Sequence, residues 1–156
     1  MDEAHLITGR CYVQKENFTD AKLELLIVAK RTNSEMTAES KYLLAYIEFR
    51  QTNYKESQKL ILEIQKQNPS YDYWVAKGFI LLGDNYLAQR DTFQAKETYK
   101  SIVENFEQQP SYPDDLKDIA RVKLTVLVSE ENHNAIEDKL KQEIVPEDSL
   151  EIKSGK

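Results

Sequence analysis

The chain has 156 residues; 31% are charged, only four are Gly and four Pro, and the formal net charge is −6. That length suffices for one domain with a sizeable core, and so few breakers among so many charges fit long, solvated helices better than a sheet. The acidity, of which −4 resides in residues 130–156, argues against a nucleic-acid binder. Such a protein would need clustered Lys and Arg to meet phosphates.

In chain order, the first helix is expected from Asp2 to about Gln14, with Leu6, Gly9, Tyr12 and Val13 as its packing side. A second begins at Asn17-Phe18, where Phe18, Ala21, Leu25 and Val28 recur at helical spacing. Thr32-Asn33-Ser34-Glu35 reads as a turn, with Asn33 or Ser34 capping the next helix. That helix runs from about Glu35 to Gln51 and carries Tyr42, Ala45 and Phe49. Its partner opens at Asn53-Tyr54 and continues through Leu60, Ile61 and Ile64 until Asn68-Pro69-Ser70 stops it. The clearest stretch is Tyr73 to Tyr86, joined by Gln89-Arg90-Asp91 to a helix over Gln94–Ile102. Phe79, Leu82, Gly83 and Tyr86 share one stripe, and Ala95, Tyr99 and Ile102 share another. Small residues at Gly83 and Ala95 allow close approach, while Tyr86 and Tyr99 fill the space beside them.

These elements repeat. Gly9, Ala45 and Gly83 are separated by 36 and 38 residues. Ala21, Ser57 and Ala95 keep the same separations, as do Leu25, Ile61 and Tyr99, and Val28, Ile64 and Ile102. Four anchors in one register predict three copies of a helix-turn-helix unit. After the turn Gln108–Asp115, Leu116, Ile119, Ala120, Lys123, Leu124 and Leu127 predict a further helix that covers the last apolar face of the stack. Its β-branched Val122, Val126 and Val128 would also suit a strand, but the spacing of three and four favours helix. Beyond Ser129 the chain is polar and acidic. Ile136, Leu140 and Ile144 allow a short helix before Pro146, and residues 147–156 carry no pattern.

Leu82-Gly83-x-x-Tyr86, followed by Ala95 and Tyr99, resembles the tetratricopeptide (TPR) repeat. The resemblance covers residues 2–128 or so and implies an all-α, right-handed α-solenoid of three helical hairpins plus a C-terminal capping helix. The expected division is a TPR domain over 1–129, with repeats at about 2–37, 38–75 and 76–109 and a capping helix at 114–129, and an acidic, partly disordered tail over 130–156. Tyr42-Leu43-Leu44-Ala45 with Phe49 and Asn53-Tyr54, then Tyr73 to Asp84 and Phe93-Gln94-Ala95-Lys96, is similar to the C-terminal end of long TPR proteins of bacterial cell envelopes. The chain is more loosely similar to the TPR domains of the periplasmic Tol–Pal coordinator and of the outer-membrane barrel-assembly lipoprotein. It departs from the pattern at Glu48, where an aromatic is common, at Ser57, where Ala is usual, and at His5 and Thr8, which weaken the first helix.

The resemblance implies a non-catalytic scaffold that binds a peptide or helix of a partner protein on its concave face, within a larger assembly. The first helix of each hairpin would line that face. The partner-binding residues expected there are Leu6, Arg10, Tyr42, Tyr46, Arg50, Lys77, Ile80 and Asp84, with Glu3, Ile7, Glu39, Leu43, Leu81 and Ala88 completing the wall. A carboxylate clamp of the kind that grips chaperone tails uses a Lys and Asn pair, another Asn, and a Lys and Arg pair; here those positions read Leu6 and Arg10, then Leu43, then Lys77 and Leu81, and only Lys77 has the right type. The alternative role is self-association of a longer TPR protein, as a homodimer joined through its ends or through Ile136, Leu140 and Ile144.

No residues are expected to catalyse, and neither a cofactor nor a metal is expected. His5 and His133 are far apart, the lone Cys11 forms no Cys-x-x-Cys pair, and no Gly-rich loop opens a helix to cradle phosphate. No run approaches the ~18 apolar residues of a membrane span, and the acidic start Met1–His5 lacks a secretory core. The default compartment is therefore the cytoplasm, or the periplasm and cell envelope if the chain belongs to a longer precursor whose repeats precede Met1.

Overall fold

A computed structural model describes residues 1–143. Among these, all regular structure is helical: α1 (Asp2–Gln14), α2 (Phe18–Ala29), α3 (Glu35–Arg50), α4 (Tyr54–Gln65), α5 (Asp72–Ala88), α6 (Thr92–Asn105) and α7 (Leu116–Glu143). The stretch containing Val122, Val126 and Val128 is helix, as its spacing predicts. The expected repeat limits at 37/38 and 75/76 fall inside the first turns of α3 and α5.

Helices α1/α2, α3/α4 and α5/α6 form three hairpins, and each second helix packs on the first helix of the next hairpin. The first helices also touch one another in the order α1, α3, α5, α7, whereas α2, α4 and α6 make no such contacts. Drawing one row of helices together and splaying the other curves the stack. The row α1–α3–α5–α7 is therefore its inner wall, and the chain is an α-solenoid.

The anchor residues explain this arrangement. Ala21, Ser57, Ala95, Leu25, Ile61, Tyr99, Val28, Ile64 and Ile102 are all buried, none above 4% exposed. A Cβ at Gly9 would lie 2.6 Å from Leu25, and one at Gly83 would lie 2.3 Å from the Tyr99 ring. The hairpins close because the small residue of the first helix receives the large residue of the second. Tyr99 is fully enclosed while Tyr86 is only partly so, and the two tyrosines are therefore not equivalent fillers.

The turns inside the hairpins share a device that sequence inspection does not reveal. Glu16, Thr52 and Arg90, again 36 and 38 residues apart, have φ of 56°, 62° and 64°. At each, the following N–H reaches back to a carbonyl five residues earlier: Asn17 to Tyr12, Asn53 to Glu48 and Asp91 to Tyr86. This is the helix-ending geometry usually given to Gly. The next residue starts the second helix, and the carboxamide of Asn17 and the carboxylate of Asp91 accept from the N–H groups of Asp20 and Gln94. A β-branched residue is the least suited to the left-handed region. Thr52→Gly is therefore expected to raise the unfolding free energy by about 0.5–1 kcal/mol, the relief of strain outweighing the extra freedom of glycine in the unfolded chain. Urea titration checks this, and an unchanged or lowered midpoint refutes it.

Helix caps follow the sequence elsewhere. Ser34 accepts from the Thr37 N–H at 3.2 Å and so caps α3, and Asp115 accepts from the Asp118 N–H at 2.9 Å to open α7. The departures from the repeat pattern acquire partners. His5 bonds Glu24 at 2.6 Å, tying α1 to α2, and Glu48 pairs with Lys22 at 2.6 Å. Ser57 is enclosed and accepts from the Asn85 carboxamide at 2.9 Å, linking the second and third hairpins.

Helix α7 departs most from expectation. It is one helix of 28 residues, about 42 Å long at 1.5 Å per residue, and not a cap ending at 129 followed by a separate short segment. Ile136 and Leu140 lie on its continuation; Ile144 and the rest of the expected tail lie outside the described residues. Leu116, Ala120 and Leu127 are its buried side, whereas Ile119 is 40% exposed.

Candidate functional site

On the inner wall, α3, α5 and α7 enclose a recess of about 230 Å³ lined by Tyr42, Tyr46, Phe49, Lys77, Ile80, Leu81, Asp84, Asp114, Leu116 and Ile119. Its lining is aromatic and aliphatic, with Lys77, Asp84 and Asp114 at its edges. Small-molecule and cofactor sites commonly occupy ~300–1,000 Å³, so this recess is scaled to one or two protruding side chains.

The recess exists because three inner helices converge there with different side-chain lengths. α3 contributes the long rings at Tyr42, Tyr46 and Phe49, and α5 contributes Ile80 and Leu81, one turn below the Gly83–Tyr99 contact. α7 closes the third side. Its position is secured by the loop before it, which folds back across the second and third hairpins. Tyr112 stacks on Tyr73, with centroids 3.7 Å apart and planes 4° from parallel, and its hydroxyl donates to Glu35. Glu35 also accepts from the Trp74 indole at 3.3 Å.

Lys77 is the polar centre of this clasp. Its ammonium donates to Asp114 at 2.8 Å and to the Tyr73 hydroxyl at 3.0 Å. It also sits 5.6, 5.2 and 5.6 Å from the rings of Tyr42, Tyr73 and Trp74, within cation–π range. Burial alone would push the Lys77 pKa down; the bonds to Asp114 and Tyr73 outweigh it and hold it above the usual value. The Lys77 bond, and then one that the Tyr73 hydroxyl donates to Asp114 at 2.9 Å, hold the Asp114 carboxyl below the usual aspartate range. Burial pushes the Tyr42 phenol up to about 12, so it remains protonated across the physiological range. At the other edge, Asp84 accepts from Tyr99 at 2.6 Å and Lys123 at 2.8 Å. Burial, and then Asp84, raises the Tyr99 pKa.

Five of the eight expected partner-binding residues, Tyr42, Tyr46, Lys77, Ile80 and Asp84, meet in this recess. Leu6 does not belong to a binding wall: it is 2% exposed and packs with Ala21, Leu25, Val28, Leu44 and Ile47 in the first inter-repeat core. The stripe spacing of α1 carries it inward, against α3, as well as toward the inner wall. Arg10 and Arg50 lie outside the recess, and neither charge is free. Arg10 forms a two-pronged pair with Glu39 of the next hairpin, which raises its pKa. Arg50 donates to Glu16 at 2.7 Å and to the Tyr46 hydroxyl at 2.8 Å. Both therefore act as ties between the first and second hairpins.

The sequence reading assigned Phe49, Leu116 and Ile119 to packing and Asp114 to a helix start, and it missed their role in the recess. No local motif marks them, since their convergence depends on where α7 docks. The enclosure of Asn85 is similar: its carboxamide nitrogen serves Ser57 and the Leu81 carbonyl at 2.8 Å, although nothing in the sequence sets it apart from surface asparagines.

Among the described residues, no group of three or more His, Cys, Asp or Glu is placed to hold a metal ion, and no helix is long and apolar enough to cross a membrane. No curated protein and no solved structure gives a significant match to the chain. The family described as "Tetratricopeptide repeat-like domain" matches residues 2–129, the span of the three hairpins and the docked half of α7. With the hairpin register, the recurring small-to-large contacts and this match in agreement, the chain belongs to the tetratricopeptide repeat-like domain family.

Proposed function

We propose that the chain is a non-catalytic scaffold that binds a peptide or helix of a partner protein through the recess between α3, α5 and α7. Domains of this family serve in general as protein–protein interaction folds. The single observation that carries the finer reading is the recess itself: an apolar hollow of side-chain dimensions on the inner wall, edged by charges of both signs. An amphipathic helix or extended peptide with one or two apolar anchors fits it, because the anchors fill the hollow while flanking charges meet its edges. Only a short groove is covered, so the expected affinity is modest, in the micromolar range.

Selection of peptides from a displayed library on the immobilised chain tests this reading. Selected peptides should carry large apolar residues at a spacing of three or four. Ile119→Asp and Tyr46→Ala should each weaken them at least about tenfold, a loss of ~1.4 kcal/mol, the first without moving the melting temperature by more than a few degrees. Ile119 is partly exposed, so its replacement does not break the core. Peptides that bind both variants as tightly as the parent would place the interaction elsewhere.

A further inference from the structure

The face of α7 turned away from the solenoid is apolar, and nothing among the described residues covers it. Val122, Val126, Ile136 and Leu140 are 56%, 48%, 58% and 51% exposed, and with Ser129 and His133 they recur at spacings of four, three, four, three and four. That is the 3.5-residue repeat of a helix-pairing seam. Leu116, Ala120 and Leu127 bury the other side on the body, and Lys96 holds Glu131 there at 2.7 Å. The seam thus points outward and runs onto the arm beyond Ser129. A capping element normally carries a polar outer face for solubility. This one carries about 27 Å of seam from Val122 to Leu140 at 1.5 Å per residue. Helix continuity stops the arm from folding back over its own stripe.

We propose that this stripe is covered by the α7 of a second copy of this chain, antiparallel, about a two-fold axis passing beside Glu131. The residues are arranged symmetrically for it. About that axis, Val122 meets Leu140 of the other copy, Val126 meets Ile136, and Ser129 meets His133, so each layer occurs twice and four of the six are apolar. An isologous contact of this kind is self-complementary and closed. One flanking charge pair agrees: Lys123, which also holds Asp84 of its own copy at 2.8 Å, comes beside Glu137 of the other copy, a pairing that occurs twice at the positions that set orientation in paired helices. Glu130 faces its own copy beside the axis, an exposed repulsion that water screens. A parallel pairing would place both His133 rings in one layer and both solenoids at the same end. The antiparallel one sets the solenoids at opposite ends.

Sedimentation equilibrium of the full chain over the micromolar range is expected to show a species of twice the 18.2 kDa chain mass. Ile136→Glu combined with Leu140→Glu should weaken dimerisation about 100-fold or more while leaving helicity unchanged, both residues being solvent-facing. In a Cys11→Ser background, an equimolar mixture of the single variants Val122→Cys and Leu140→Cys should oxidise to a mixed covalent dimer while neither variant alone does, since the two positions meet only between antiparallel copies. A single-chain mass throughout, a dimer that survives the two glutamates, or failure to cross-link would each overturn the proposal. All the substituted positions lie outside the recess, so the result is independent of peptide binding there.

Discussion

Gly83→Ala is expected to destabilise the protein by about 2 kcal/mol, although the same change in an ordinary helix interior stabilises by up to ~1 kcal/mol. The reason is the Tyr99 ring. The added Cβ would lie 2.3, 2.7 and 2.8 Å from three of its carbons, and that ring is 0% exposed with its hydroxyl committed to Asp84 at 2.6 Å. The ring cannot retreat without breaking that bond or opening the hairpin. Gly78 provides the internal control. A Cβ there would meet Ile61 at 3.2 Å and nothing else closer than 3.7 Å, a contact that a shift of a few tenths of an ångström relieves. Gly78→Ala is therefore expected to stay within about 0.5 kcal/mol of the parent, helix propensity offsetting the mild crowding. Tyr99→Leu alone should cost about 2–4 kcal/mol, but combined with Gly83→Ala the two should fall short of their sum by about 1 kcal/mol or more. Denaturant melts of the four proteins measure this coupling. Additive effects would mean that the two residues do not press on each other as the structure has them.

The second large effect concerns α7. A chain ended at residue 109 is expected to lose cooperative folding, whereas one ended at residue 129 should melt, at low concentration, within a few degrees of the full chain. The first truncation removes Leu116, Ala120 and Leu127, all 4% exposed or less, from the core they share with Tyr73, Tyr99, Ile102 and Phe106. It also removes the Tyr112 stack and the Lys77–Asp114 bond. Each large side chain in that core contributes about 1.5–3 kcal/mol, and a domain of this kind has only ~5–15 kcal/mol in total. The second truncation removes, from the contacts of the solenoid body, the Lys96–Glu131 pair at 2.7 Å. An exposed pair of that kind contributes about 0–1 kcal/mol. Calorimetry of both chains separates a helix that covers the core from an arm that does not. Equal melting temperatures for the two truncations would contradict the burial of Leu116 and Leu127.

The inner wall illustrates how far residue type carries and where it stops. Tyr42, Tyr46, Lys77, Ile80 and Asp84 were legible as wall residues because they lie on the first helices of their hairpins, the row that the resemblance puts on the concave face. Leu6 and Arg10 occupy equivalent positions in the first hairpin, yet Leu6 is enclosed and Arg10 is bound to Glu39. The difference arises in the neighbouring helix: α3 lies over α1, and Glu39 happens to stand opposite Arg10. Ile119 shows the converse. Its spacing with Leu116 and Leu127 placed it in a core, but α7 rolls so that Ala120 takes the buried position and Ile119 opens onto the recess.

The amino-acid order alone determined the class of fold, the three-fold register and the contact at the heart of each hairpin. Those depend on period and side-chain size, which are local properties that recur with the chain. The left-handed turns at Glu16, Thr52 and Arg90 obey the same register, but no glycine announced them, because hairpin closure imposes that backbone whatever the residue. The tertiary structure alone decided which wall residues form a hollow and which serve as ties, and that α7 runs unbroken to Glu143. These follow from where the last helix docks, a balance of long-range contacts around Tyr73, Lys77 and Asp114 that no short stretch of sequence contains.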